Sequence, residues 1–196
     1  CVLILWSDKL STDSMQFGFK RGASTSQCSW LVHEVCQWFN ARGATVYAAF
    51  MDLRMAFDMC LFHKLFLKIL KRGVPAIVVR TFIYAYQEQK GWIRLAGRNS
   101  NTFKLSNGTR QGSVLSPAWF GLYINELLRK LRKSKLGCHV AGVWFGACAY
   151  ADDLCLLAPN SIVLQKMVTM CQKYGEEHNL VFSTDPVPSK SKTKCI

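Results

Sequence analysis

Three acids stand where apolar runs end: Asp52 directly after Val46–Met51, and Asp152-Asp153 between Val140–Ala149 and Leu154–Leu157. Adjacent carboxylates in such a setting repel each other and are costly to desolvate without a compensating cation. Magnesium suits them, because it is a hard ion that prefers oxygen ligands and few protein carboxylates. Two such ions a few ångströms apart can hold the attacking and leaving oxygens of a phosphoryl transfer. Asp-Asp between two strands is more often just a turn, since aspartate is a common turn residue. The acids alone leave both readings open.

The elements that would position them can be read from periodicity and punctuation. Ser24-Thr25-Ser26-Gln27 has the form of a capping box and precedes Trp30, Leu31, Val35, Trp38 and Phe39, a helix closed by Gly43. Thr45–Met51 reads as a buried strand leading into Asp52. A second helix carries Leu61, Phe62, Leu65, Phe66 and Ile69 and stops at Gly73, with Pro75 beyond. A third covers about Ala76–Gln89. Trp92–Ala96 and Thr102–Leu105 pattern as a hairpin joined by Gly97–Asn101. Ser116-Pro117 offers an N-cap and N1 proline for a helix through Leu131, with Gly137 ending it. Val140–Ala149 and Leu154–Leu157 pattern as a hairpin with acids at its tip, followed by a helix over about Ile162–Glu177. Mixed helices and hairpins favour an α+β fold over a doubly wound parallel sheet, and no repeat divides the chain.

Composition narrows the partners. Half the residues are hydrophobic, which argues against disorder, and Lys plus Arg exceed Asp plus Glu by 25 − 12 = 13. That excess suits a polyanion such as nucleic acid or an anionic membrane. Nine cysteines form no C-x-x-C pair and read as buried, reduced thiols of an intracellular protein, in nucleus or cytoplasm, not as a zinc site. No apolar run approaches the length of a membrane span.

Ordered segments add a resemblance. Gln16-Phe17-Gly18-Phe19-Lys20-Arg21-Gly22 is followed by Phe50-Met51-Asp52-Leu53-Arg54-Met55-Ala56-Phe57-Asp58. Then come Asn107-Gly108-Thr109-Arg110-Gln111-Gly112-Ser113-Val114-Leu115-Ser116-Pro117, Tyr150-Ala151-Asp152-Asp153 and Lys192-Thr193. In this order they resemble the reverse transcriptases of non-LTR (LINE-type) retrotransposons. The resemblance implies the palm of a right-hand polymerase, an antiparallel sheet with a catalytic hairpin backed by helices, with part of the fingers. Residues 1–196 would be a partial domain, with the early fingers, thumb and endonuclease outside it.

The activity implied is RNA-directed DNA synthesis. Nucleotides pass from deoxynucleoside triphosphates to a DNA primer 3′-hydroxyl on an RNA template, with two magnesium ions, or manganese in their place. Asp52 and Asp152 would be the principal metal ligands, with Asp153 supporting and the Leu53 carbonyl adding a ligand. Phe57 would lie beneath the sugar of the incoming nucleotide, and Gln111 and Gly112 would line its pocket. Lys192 would protonate departing pyrophosphate, Lys20 and Arg21 would meet phosphates, and Tyr150 would either pack or lie under the primer terminus. The family usually has Ser-Lys where this chain has Arg54-Met55, and often His where Phe62 stands. Two rivals follow: a catalytically inert, nucleic-acid-binding remnant, and a two-metal nuclease built on the same acids. The nuclease does not account for the Gln111-Gly112 loop or for Phe57.

Overall fold

A computed structural model describes residues 5–109, 112–184 and 191–196. Helix α1, Thr25–Asn40, begins with the reciprocal cap read from the sequence: Gln27 N donates to Ser24 Oγ at 3.2 Å, and Ser24 N donates to Gln27 Oε1 at 3.1 Å. Its apolar stripe is only partly used, since Val35 is buried while Trp30 is 64% exposed. Strand β1, Tyr47–Met51, follows, and β2, Leu53–Arg54, continues past Asp52. Helix α2, Phe62–Lys71, buries Leu65, Phe66 and Ile69, and Gly73 beyond it takes the positive φ that ends the turn. Helix α3 is Ala76–Gln87.

The segment after α3 departs from the expected single hairpin. Strands β3, Lys90–Gly91, and β6, Phe103–Lys104, pair with each other around a tighter hairpin of β4, Arg94–Leu95, and β5, Arg98–Asn99. Its turn is Ala96-Gly97, both at positive φ, not Gly97–Asn101. Helix α4 runs Ser116–Ser134, with Leu115 at the N-cap, so Ser116 is the first helical residue and does not cap. The helix passes Leu131 and ends on left-handed Lys135. Gly137 serves packing instead: a Cβ there would stand 2.5 Å from the Gly146 Cα.

The run Val140–Ala149 also splits. His139–Val140 (β7) and Val143–Trp144 (β8) close a small hairpin over Ala141-Gly142, both at positive φ, before β9, Ala147–Tyr150. Strand β10 is Asp153–Ala158, helix α5 is Ser161–His178, and short strands β11, Val181–Phe182, and β12, Lys194–Cys195, complete the order. The main sheet runs β12-β1-β10-β9, and the named strands pair antiparallel throughout, with one isolated parallel bridge from Gln16 to Ala149 of β9. This is the expected α+β arrangement.

Helix α5 packs on β10 and β1, α4 packs on β9, and α2 packs on α4. Ala49, Met51, Leu154 and Leu156 are buried in the resulting core with Trp119, Phe120, Leu127, Leu128 and Met167. Phe50, of opposite parity on β1, is exposed. One face of the sheet is therefore sealed by helices, and the acids stand on the other. No described helix is long and apolar enough to cross a membrane.

Candidate active site

Register alone assembles the site. Met51 pairs with Leu154, so one step further Asp52 comes abreast of Asp153. On the other side of β1, Phe50 pairs with Lys194, and two steps further Asp52 comes abreast of Lys192. The Lys192 Nζ stands 3.6 Å from Asp52 Oδ2, with the lysine side chain 72% exposed and the aspartate 23%. Tyr150 faces Asp153 across the β9–β10 hairpin. Phe50, Asp52, Tyr150 and Asp153 line a cleft of about 440 Å³, whose other wall includes Thr25, Cys28, Ser29 and Val32 of α1.

The charges in this cleft are unbalanced. Burial raises the Asp153 carboxyl above its usual range, the negative charges of Asp152 and Asp52 raise it further, and Lys192 offsets part of the rise. Asp153 thus feels two neighbouring carboxylates, and Lys192 is the exposed ammonium that offsets them. Among the described residues no three His, Cys, Asp or Glu side chains converge tightly enough to form a ready-made metal cage. The donor chemistry nevertheless fits a hard divalent cation that takes few protein oxygens and keeps water or phosphate for the rest. Mutual repulsion at Asp153 is the deficit such a cation would relieve.

The acid turn is held by residues that the sequence reading passed over. Ala151 sits at φ 57°, and both of its backbone groups are bound by Gln16. Ala151 N donates to Gln16 Oε1 at 3.0 Å, and Gln16 Nε2 donates to the Ala151 carbonyl at 3.1 Å. The same Oε1 accepts from Gly18 N at 2.8 Å. Gly18 lies so close that a Cβ would stand 2.1 Å from Ala151 N. Only a glycine leaves that space. The signal was present, because Gln16 and Gly18 open the first of the ordered segments; what the sequence lacked was their target.

The remaining site residues scatter around this centre. Leu53 is buried in β2 opposite Phe182, and the preceding Asp52 carbonyl accepts from Ser183 N at 2.6 Å. Phe57 is half-buried, its ring 4.8 Å from Phe120 and 6.0 Å from Phe19. Thr109 N donates to the Phe57 carbonyl at 2.7 Å, which docks Thr109 beside it. Gly112 is exposed at φ 80°, with open space where a Cβ would be; Gln111 lies outside the described residues. Lys20 turns to the carbonyls of Thr12 and Asp13 and does not line the acid cleft; Arg21 is exposed.

Cysteine burial follows the sequence reading only in part, since Cys28 and Cys36 are half-buried. The described cysteines are all free, five are buried, and Cys195 alone is exposed, at the sheet edge in β12. Cys28 and Cys148 meet at 3.6 Å between their sulfurs in the wall of the acid cleft. The contact with Cys148, then burial, pushes the Cys28 thiol well above the usual thiol range. The Cys148 thiol is raised by its hydrogen bond with Cys155 and by burial, against the opposing bond from Cys28.

Comparison with known proteins bears on this geometry. The sequence profile of the family described as "Reverse transcriptase (RNA-dependent DNA polymerase)" matches residues 4–193. A Pol polyprotein from a type-1 R2 retrotransposable element of Popillia japonica is 29% identical over 137 residues, 66% of this chain and 22% of that protein. The type-2 element R2DM of Drosophila melanogaster encodes one that is 27% identical over 162 residues, 83% of this chain and 15% of its own length. This chain thus spans less than a quarter of the curated relatives it matches. In fold it is similar to telomerase from Candida albicans, solved with a fragment of telomeric RNA, at TM-score 0.71 and 12% identity, over 98% of this chain and 32% of that one. Telomerase from Candida tropicalis gives TM-score 0.70 at 14% identity, over 100% of this chain and 32% of that one.

Proposed function

The chain belongs to the reverse transcriptase (RNA-dependent DNA polymerase) family, and from that membership we propose that its acid cleft carries out nucleotidyl transfer from deoxynucleoside triphosphates to a primer 3′-hydroxyl on an RNA template. The observation that carries the proposal is the register that brings Asp52, Asp153 and Lys192 together at the ends of three adjacent strands. Asp52 and Asp152 would hold two magnesium ions, with Asp153 supporting and the Leu53 carbonyl as a further ligand. Bound magnesium supplies Lewis-acid stabilisation of the attacking and leaving oxygens.

The protein's own groups do the rest. Lys192 is exposed and paired with Asp52, one of the carboxylates that would hold the metal. From there its ammonium would give a proton to departing pyrophosphate. Phe57, braced by Phe120, would lie beneath the sugar of the incoming nucleotide, and Gln111 and Gly112 would line its pocket, with Gly112 allowing close backbone approach. Exposed Arg21 would meet phosphates, whereas the Lys20 ammonium is engaged by the carbonyls of Thr12 and Asp13.

Primer extension on an RNA template with magnesium tests the reading, in this chain and in one extended at both ends. Asp52→Asn removes a full charge from the metal site and is expected to lower kcat/KM by at least a thousandfold with the fold intact. A rate within tenfold of the parent at saturating magnesium would exclude Asp52 as a ligand. RNA binding with no synthesis from either chain would favour the inert remnant. Replacing Phe57 by Val is expected to raise ribonucleotide use relative to deoxynucleotide use, read as the ratio of the two kcat/KM values. An unchanged ratio with lowered stability makes Phe57 a core residue only.

A further inference from the structure

On the helical side of the sheet lies a second cleft, of about 590 Å³, that shares no lining residue with the acid cleft. Its walls are α2, α4 and the end of α5, and they carry seven cations against the two carboxylates Glu126 and Glu177. Both acids are already engaged, Glu126 by Lys68 and Glu177 by Lys130 at 3.2 Å. The side chains of Lys71, Arg129 and Lys133 are exposed and have no acidic partner among the described residues.

The cations crowd one another. Burial lowers Lys68 first, and Lys130 and Lys71 lower it further against the pull of Glu126; Arg72 is lowered by burial and by Arg129. An ordinary solvated helix face alternates acids with bases at helical spacing and sits on a convex surface. Here two rows of like charge, recurring roughly every 6 Å along each helix, face each other across one concavity.

We infer that this groove binds the sugar-phosphate backbone of a nucleic-acid strand, with Lys71, Arg129 and Lys133 as its principal phosphate contacts, at a site separate from the acid cleft. Repeated cations match repeated phosphates, and lysine and arginine are the usual backbone contacts. An acidic peptide fits less well, because Leu67 and Leu122 alone offer apolar lining for its side chains. The inference stands on the groove's charge and does not require that the acid cleft be catalytic.

The test uses a fluorescein-labelled 20-nucleotide single-stranded RNA and fluorescence anisotropy across a salt series. Lys71→Gln, Arg129→Gln and Lys133→Gln are combined and compared with an equal loss of charge at exposed Lys135, Lys166 and Lys173. The groove variant is expected to lose at least tenfold in affinity at physiological salt, with the log–log salt slope falling by about two. The control variant is expected to lose less than threefold. Circular dichroism confirms that both remain folded, and single replacements stand in for any triple that does not. The same difference is expected in an Asp52→Asn background, which separates this groove from catalysis. Equal losses in both triples would reduce the effect to net charge and overturn the site. Displacement of the RNA by polyglutamate at equal charge concentration, as efficient as by unlabelled RNA, would overturn it in favour of an acidic protein segment. Cross-links from 4-thiouridine in the RNA should fall on α2 and α4; cross-links confined to the acid cleft would overturn it too.

Discussion

A carboxylate can serve a polymerase only where its backbone holds it, and here two residues far away in sequence do the holding. Gln16 is buried and spends its amide on both backbone groups of Ala151 and on Gly18 N, so the turn before Asp152 is fixed from outside the hairpin. Each of those backbone groups, left unpaired in the interior, would cost about 1–3 kcal/mol. Gly18 adds a steric lock: its missing Cβ is the space that Ala151 occupies. Gly18→Ala is therefore expected to push the acid turn away while leaving most of the core untouched. Misplacement by an ångström can cost two orders of magnitude in rate, so primer extension should fall ten- to a hundredfold, with a Tm loss of only a few degrees. Parent-like kcat/KM for Gly18→Ala would show that the turn tolerates the shift and that Gly18 is ordinary packing.

Among the elements, helices were more legible than hairpins, for a physical reason. The capping box at Ser24 and the stripe Leu65, Phe66, Ile69 are local codes, and α1 and α2 follow them. The tight turns at Ala96-Gly97 and Ala141-Gly142 ask a non-glycine residue to take positive φ, and nothing local announces that. Ser116 was read as a cap by its type, yet the chain enters α4 one residue earlier. Strand β12 was not read at all, since its pairing with β1 spans most of the chain. The three acids were legible as candidates because apolar runs frame them; their register with Lys192 was not. The join of α2, α4 and α5 was equally hidden. Tyr123 donates to the His178 carbonyl at 2.6 Å, Tyr174 donates to the Tyr123 carbonyl at 2.5 Å, and the His178 ring stacks on Tyr174 at 3.8 Å. Burial, then the positive charges of Lys68 and Lys64, push the His178 imidazole down to about 4, against the backbone bond to Tyr174 and the charge of Glu126. In the unfolded chain it takes a proton near its ordinary 6.5. The stability that neutral His178 contributes is thus whole above 6.5 and is lost as pH falls from there towards 4. His178→Gln removes that titration, so the Tm deficit of the variant relative to the parent should shrink between pH 7 and pH 5. Parallel Tm–pH curves would show that His178 has no part in acid sensitivity.

At the scale of the whole molecule the sheet separates two charge environments, acids on its open face and a basic groove among the helices behind it. That separation depends on a sheet closed from both ends of the chain. Strand β1 is flanked by β10 on one side and by β12 on the other; β12 forms an edge, and Lys192 stands just before it. Ala48 exchanges two backbone hydrogen bonds of 2.8 Å with Ile196, and Thr193 N donates to the Ser183 carbonyl at 3.0 Å. Removing residues 191–196 would therefore strip the ladder from β1 and leave its edge open to other chains. Net backbone bonds contribute about 0.5–1.5 kcal/mol each, and for a domain of this size each kcal/mol moves Tm by about 2–4 °C. Truncation is expected to lower Tm by about 5–10 °C and to bring concentration-dependent aggregation. Lys192→Ala, by contrast, touches only an exposed ammonium, and its Tm should stay within about 2 °C of the parent while primer extension slows. The pair of variants separates two roles of one segment: the strand's part in the sheet, and the proton-donor role proposed for the lysine. If the truncated chain melts like the parent in circular dichroism, β12 is a passive edge, and the closure of the sheet rests on β1, β10 and β9 alone.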